Sequence, residues 1–148
     1  MSRIKNIVNN LVKKYDTRNP YELCDVLDIP ILYNNLGNIK GLFQNVQGSH
    51  VIHLNNSLSE YELKPVLAHE LGHALLHKEF NVCFLNNYTF CITDKFENEA
   101  NKFAAHLLIK DEDLDIFAHE NDCVTIEQLS MHFRVPNEFI MYKMGEKI

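Results

Sequence analysis

The chain has 148 residues, 46% of them hydrophobic and 23% charged, with a net charge of −6; this suits one globular domain that folds without disulfides or a structural metal. The acidic balance argues against a nucleic-acid or anionic-membrane role, and no apolar run reaches the roughly 18 residues of a transmembrane helix. The opening Met1-Ser2-Arg3-Ile4-Lys5-Asn6 lacks the apolar core of a signal peptide, so a cytoplasmic location is expected.

Ile4, Ile7, Val8, Leu11 and Val12 recur at helical spacing and predict a helix over 2–14. A second helix should start at Asn19, with Pro20 in its first turn and Glu22 completing a capping box, and end before Pro30. Ile31-Leu32-Tyr33, Gly41 to Val46 and Val51 to Leu54 read as strands, the last two joined by a turn at Gln47-Gly48-Ser49. Ser59 with Glu62 opens a helical region in which Pro65 either kinks the helix or begins a new one, running to about His77. Segment 80–94 is apolar and aromatic, a hairpin or ordered loop with Asn86-Asn87 as its turn. Residues 95–109 form a helix rich in alanine and leucine, and two or three shorter helices follow over 111–145. The sum is an α+β fold, a small antiparallel sheet with helices before and after it. One domain is expected over 1–148, with 111–148 as a helical C-terminal cap. Cysteines 24, 83, 91 and 123 form no C-x-x-C pair and read as free thiols, mostly buried.

The chemistry is concentrated in His69-Glu70-Leu71-Gly72-His73, an H-E-x-x-H sequence. Residues four apart share a helical face, so His69 and His73 can chelate one zinc ion while Glu70 lies beside the metal's water as general base. Val66, Leu67, Ala68, Leu71, Ala74, Leu75 and Leu76 surround the motif, so this helix should be buried. The competing reading is a buried helix with two hydrogen-bonded histidines; a metal is the more efficient partner for that many polar groups.

Hydrolytic zinc needs a third protein ligand. His77 lies eight residues past His69, about 12 Å along the helix, too far for one ion, and reads as a packing or supporting residue. Glu97 and Glu99 stand on the next helix. At about 100° per residue, Ala100, Phe103, Ala104, Leu107 and Leu108 mark its buried face; Glu97 lies about 45–60° from that face's centre and Glu99 more than about 100° away. Glu97 is therefore the expected third ligand, with Asn101 on its side, and Glu99 an exposed charge. The alternative for Glu97 is a capping carboxylate near a helix N-terminus. His106 should not reach the same metal.

His-Glu-Leu-Gly-His-Ala-Leu-Leu-His at 69–77, followed by Glu-Asn-Glu-Ala-Asn-Lys-Phe-Ala-Ala-His-Leu-Leu at 97–108, resembles the ImmA/IrrE family of metallopeptidases. The likeness covers about residues 20–115 and includes Gly41-Leu42-Phe43. It implies a zincin-like fold, zinc ligands at His69, His73 and Glu97, and a catalytic Glu70. It also implies a setting in phages or mobile elements, with a helix-turn-helix repressor as the protein substrate. Lys110 and His106 depart from the family pattern without touching a proposed ligand.

Two other readings stand beside peptidase activity. The chain could act as a metal-bound module that sequesters a repressor without cutting it. Thr125-Ile126-Glu127-Gln128-Leu129 and Val135-Pro136-Asn137-Glu138 have a helix-turn-helix rhythm, which would suit a DNA-binding regulator. The segment balances Arg134, Lys143 and Lys147 against Glu127, Glu138 and Glu146, so direct nucleic-acid contact is not expected. Tyr88 is a candidate oxyanion donor, though it reads more simply as a packing aromatic.

Overall fold

The computed structural model describes residues 2–77 and 90–145. Helix α1 spans Arg3–Tyr15; the Ser2 hydroxyl caps it by accepting the Lys5 N–H, and Ile4 and Val8 are buried. Helix α2, Pro20–Val26, is capped by Asn19, whose side chain accepts the Tyr21 N–H at 2.9 Å. The expected reciprocal bond from Glu22 is replaced, because the Asn19 N–H goes to Thr17 Oγ1 at 3.0 Å.

Three strands follow: β1 Ile31–Asn34, β2 Gly41–Val46 and β3 Ser49–Asn55, in the spatial order β1-β3-β2. Gln47 and Gly48 both have positive φ (51° and 86°), the backbone of a two-residue hairpin whose twist matches its strands. The hairpin is antiparallel as expected, but β1 lies parallel to β3, so the sheet is mixed. Residues 35–40 cross the end of β3 and place β1 on its far side. Asn55 fixes that crossing by donating to the carbonyls of Gly37 (3.0 Å) and Ile39 (2.9 Å). With β3 in the centre, β1 and β2 are the two edges of the sheet.

Helix α3, Glu60–Leu76, opens with the Glu62 carboxylate accepting from the Ser59 N–H (3.2 Å) and hydroxyl (3.0 Å). Pro65 falls in its second turn and removes one backbone hydrogen bond without ending the helix. Helix α4, Phe90–Leu108, begins earlier than periodicity predicts. Residues 78–89, which hold most of the expected hairpin or loop with Asn86-Asn87 and Tyr88, lie outside the described residues. The C-terminal helices are α5 Asp111–Glu120, α6 Ile126–Phe133 and α7 Asn137–Gly145. Among the described residues the fold is α+β, with seven helices and a three-stranded sheet.

Helix α3 is the centre. It packs on α4, on β2 and β3, and on α2, burying Leu67, Ala68, Leu71 and Ala74. Each such leucine contributes about 1.5–3 kcal/mol through removal from water. Two glycines set the approach of its neighbours. A Cβ on Gly72 would stand 3.2 Å from Ala100 Cα, Ala100 O and Phe103 Cβ on α4. A Cβ on Gly41 would stand 2.9 Å from Val66 Cγ1 and 3.2 Å from Glu70 Cγ. Cys24 is buried, which pushes its thiol up to about 12, whereas Cys123 is exposed; both are free. Cys83 and the Cys91 side chain lie outside the described residues. No helix among the described residues is long and apolar enough to cross a membrane.

Candidate metal centre

Helix α3 carries His69, Glu70 and His73, and α4 runs against it in the opposite direction, so that Glu97 arrives beside the two imidazoles. His73 Nε2 lies 2.9 Å from Glu97 Oε1, His69 Nε2 lies 3.0 Å from Glu97 Oε2, and the two Nε2 atoms are 3.2 Å apart. Ligand atoms of these three residues all fall within 4.8 Å of one another. The close packing that Gly72 permits makes this possible.

The other nitrogen of each ring is also engaged. His69 Nδ1 is 2.7 Å from Asn101 Oδ1, and His73 Nδ1 is 3.0 Å from His77 Nδ1. Asn101 Oδ1 accepts from His69 Nδ1, so the ring can keep a proton there and bind a metal through Nε2 once Nε2 gives up the proton it shares with Glu97. His77 acts similarly on His73 while stacking on Phe96 at 4.1 Å. The sequence reading of His77 as a supporting residue thus agrees with its position.

Electrostatics fit a cation at this point. Burial disfavours the charged form of Glu97, but hydrogen bonds from His69 and His73 outweigh it and hold the carboxyl far below the usual carboxylate range. Burial pulls the His69 pKa down, while the Glu97 hydrogen bond and the charges of Glu70 and Glu97 carry it above its ordinary value. Glu70 is only 6% exposed, and its pKa is raised by that burial, against the pull of His69 and His73. A divalent ion would take over from the imidazole protons the neutralisation of the two carboxyl groups. Two nitrogen donors and one carboxylate, with space beside them, are the donor set of a hydrolytic metal site. That space is a cavity of about 380 Å³ bordered by Gly41, His69, Glu70, Glu97, Asn101 and Phe139.

Glu99 departs from the expectation. Its side chain is 13% exposed, against 41% for Glu97, and it pairs with Arg3 of α1 while Oε1 lies 3.8 Å from His77 Nε2. Helix α1 covers the side of α4 that periodicity assigns to solvent. His77 is pushed down to about 4, first by burial and then by the neighbouring His73. His106 is buried elsewhere on α4, with Nδ1 3.1 Å from Lys143 Nζ. Sequence reasoning missed the contribution of β2 and α7 to the cavity wall. Gly41, the first residue of β2, figured only in the family likeness; helical and strand periodicity carry no signal that it borders the site.

Residues 24–144 match the peptidase family described as the IrrE N-terminal-like domain. The chain belongs to this family. It is 35% identical over 145 residues to Metallopeptidase ImmA of Bacillus subtilis (strain 168), covering 97% of this chain and 85% of that protein. It is 36% identical over 141 residues to Uncharacterized immunity region protein 2 of Bacillus phage phi105, covering 95% of this chain and 88% of that one. As a member of the IrrE-like family the chain is a metallopeptidase and acts on protein substrates. Its α3–α4 junction carries the candidate metal-binding triad.

Proposed function

We propose that this peptidase is a cytoplasmic, zinc-dependent endopeptidase that cleaves a helix-turn-helix repressor of a phage or mobile element. Its zinc ligands are His69, His73 and Glu97, and Glu70 is its general base. The reading rests on one observation above all: two Nε2 atoms and a carboxylate converge beside a buried second carboxyl group. The repressor is favoured by the names of the relatives, a metallopeptidase and a phage immunity region protein. The whole chain works as one unit, in which the C-terminal helices from Asp111 to Gly145 form a cap beside the cavity.

Zinc, when bound, would supply Lewis acidity towards the scissile carbonyl and lower the pKa of a water. Glu70 takes a proton from that water as its oxygen adds to the carbonyl carbon. It then gives the proton to the amide nitrogen as the C–N bond breaks, leaving a carboxylic acid and an amine; the acid's proton then passes to the amine, giving carboxylate and ammonium. Asn101 and His77 keep the His69 and His73 rings in position throughout.

The test compares wild type with Glu70→Gln at matched zinc content, each mixed with the repressor encoded beside it, with and without a chelator. Expected are discrete fragments from wild type alone, abolished by chelation. The variant should keep its fold and zinc but lose about 10²–10⁴-fold in rate. If Glu70→Gln relieves repression in cells as well as wild type does, the protein acts by sequestration and the peptidase reading of its role fails.

A further inference from the structure

The cavity beside the triad continues into a second, larger hollow of about 540 Å³ between the first turns of α3 and the α6–α7 corner. The two share Lys40, Pro65, Val66 and Pro136, so they form one groove. The outer part is walled mainly by apolar groups: Tyr61, Pro65 and Val66 on one side, Met131, Val135 and Pro136 on the other. Pro65 and Val135 are buried and form its floor. Tyr61 and Met131, 65% and 80% exposed, stand at its mouth from opposite sides. Large apolar side chains left this open, facing each other across a hollow, are what an apolar ligand group would cover.

Helix geometry relates this groove to the bond that would be cut. Val66 precedes His69 by three residues and Tyr61 by eight, about 4.5 and 12 Å along the α3 axis. An extended polypeptide advances about 3.3 Å per residue. A side chain seated between Val66 and Tyr61 therefore belongs to a residue within about four positions of a bond held at the triad. Because the two hollows share Lys40, Pro65, Val66 and Pro136, a polypeptide held at the triad can lay a neighbouring side chain in the second one.

We infer that the Tyr61–Met131 groove is a specificity subsite that takes one large apolar side chain of the polypeptide substrate, within about four residues of the scissile bond. This rests on the peptidase reading given above and adds to it the class of residue selected. The C-terminal helices thereby act in substrate choice: Met131 and Val135 belong to the α6–α7 corner, whereas the triad belongs to α3 and α4. The rim is polar, with Lys40 paired to Glu62 at 3.3 Å and the Arg134 guanidinium 5.2 Å from the centre of the Tyr61 ring.

A random decapeptide mixture, identified by mass spectrometry, serves as the probe in two arms. In the first, zinc-loaded Glu70→Gln protein is immobilised and retained peptides are sequenced. Retained peptides should be enriched about tenfold in Leu, Ile, Met, Phe or Tyr at one position, a preference typical of an apolar pocket. Adding Met131→Glu and Tyr61→Glu, both at exposed positions, should abolish the enrichment while zinc content and helical circular dichroism stay unchanged. No retention, no apolar preference, or a preference that survives these substitutions overturns the inference. The second arm follows cleavage of the same mixture by wild type. Apolar retention without cleavage leaves the subsite standing and defeats the peptidase reading; cleavage without apolar preference does the reverse.

Discussion

Replacing Gly72 by alanine tests whether the triad depends on the close approach of two helices. The new methyl would sit 3.2 Å from Ala100 Cα, Ala100 O and Phe103 Cβ, and the first two belong to the α4 backbone, which cannot rotate away. Carbon contacts are comfortable from about 3.5 Å, so α4 must withdraw by about 0.3 Å. Overpacking of this kind costs about 1–3 kcal/mol, while alanine in place of glycine in a helix returns about 1 kcal/mol. The net expectation is a loss of about 1 kcal/mol, or about 2–4 °C in Tm. Glu97 lies one helical turn from Ala100, so it moves with the backbone that is displaced. Metal sites hold their ligands to about 0.2 Å, and a shift of this size should weaken zinc about tenfold, equal to about 1.4 kcal/mol. Competition with a chromophoric chelator measures the affinity, and calorimetry of the metal-free protein measures Tm. Gly145→Ala is the control, because its added methyl meets nothing within 4 Å. If Gly72→Ala raises Tm and leaves zinc affinity intact, the helices have slack and the contact does not hold Glu97 in place.

Two further outcomes are expected. Glu97→Gln should weaken metal binding far more than Glu99→Gln, because Glu97 reaches both imidazole Nε2 atoms while Glu99 pairs with Arg3 and faces His77; metal analysis with equal losses, or the reverse order, would show the wrong carboxylate was chosen. Away from the site, burial opposes the charge on Asp111, but hydrogen bonds from Lys143 and Lys5 outweigh it and hold its pKa below the usual range. A depressed folded pKa stabilises above the unfolded value of 3.8 and is lost as pH falls below it. Asp111→Asn should therefore cost about 1 kcal/mol at neutral pH, discounted for partial exposure, with a shallower acid limb in the unfolding profile. Identical acid limbs for the two proteins would remove Asp111 from the account.

Local chemistry was legible wherever the deciding contacts lie within one turn. Ser59 and Glu62 announce the start of α3, Asn19 and Pro20 that of α2, and Gln47-Gly48 the hairpin, because each is closed by neighbours in sequence. The four-residue spacing of His69 and His73 puts both rings on one face of any helix they form. Glu97 followed from the apolar stripe of α4, since that stripe must face α3 and drags the neighbouring carboxylate along. Even Asn101, which shares the side of Glu97, ends at His69.

Other features were settled by parts of the chain far apart in sequence. Glu99 is covered because α1 lies against α4, and its partner Arg3 is 96 residues away; helical periodicity on α4 carries no record of that neighbour. The parallel placement of β1 depends on where residues 35–40 cross, and a strand's own pattern is the same for either direction of pairing. The groove likewise exists only because the α6–α7 corner closes over the start of α3. The sequence determined which side chains can bind a metal, since that is a matter of residue type and spacing on a helix. Only the tertiary structure decided which surfaces stand beside them, since those contacts depend on helices and strands that meet from distant parts of the chain.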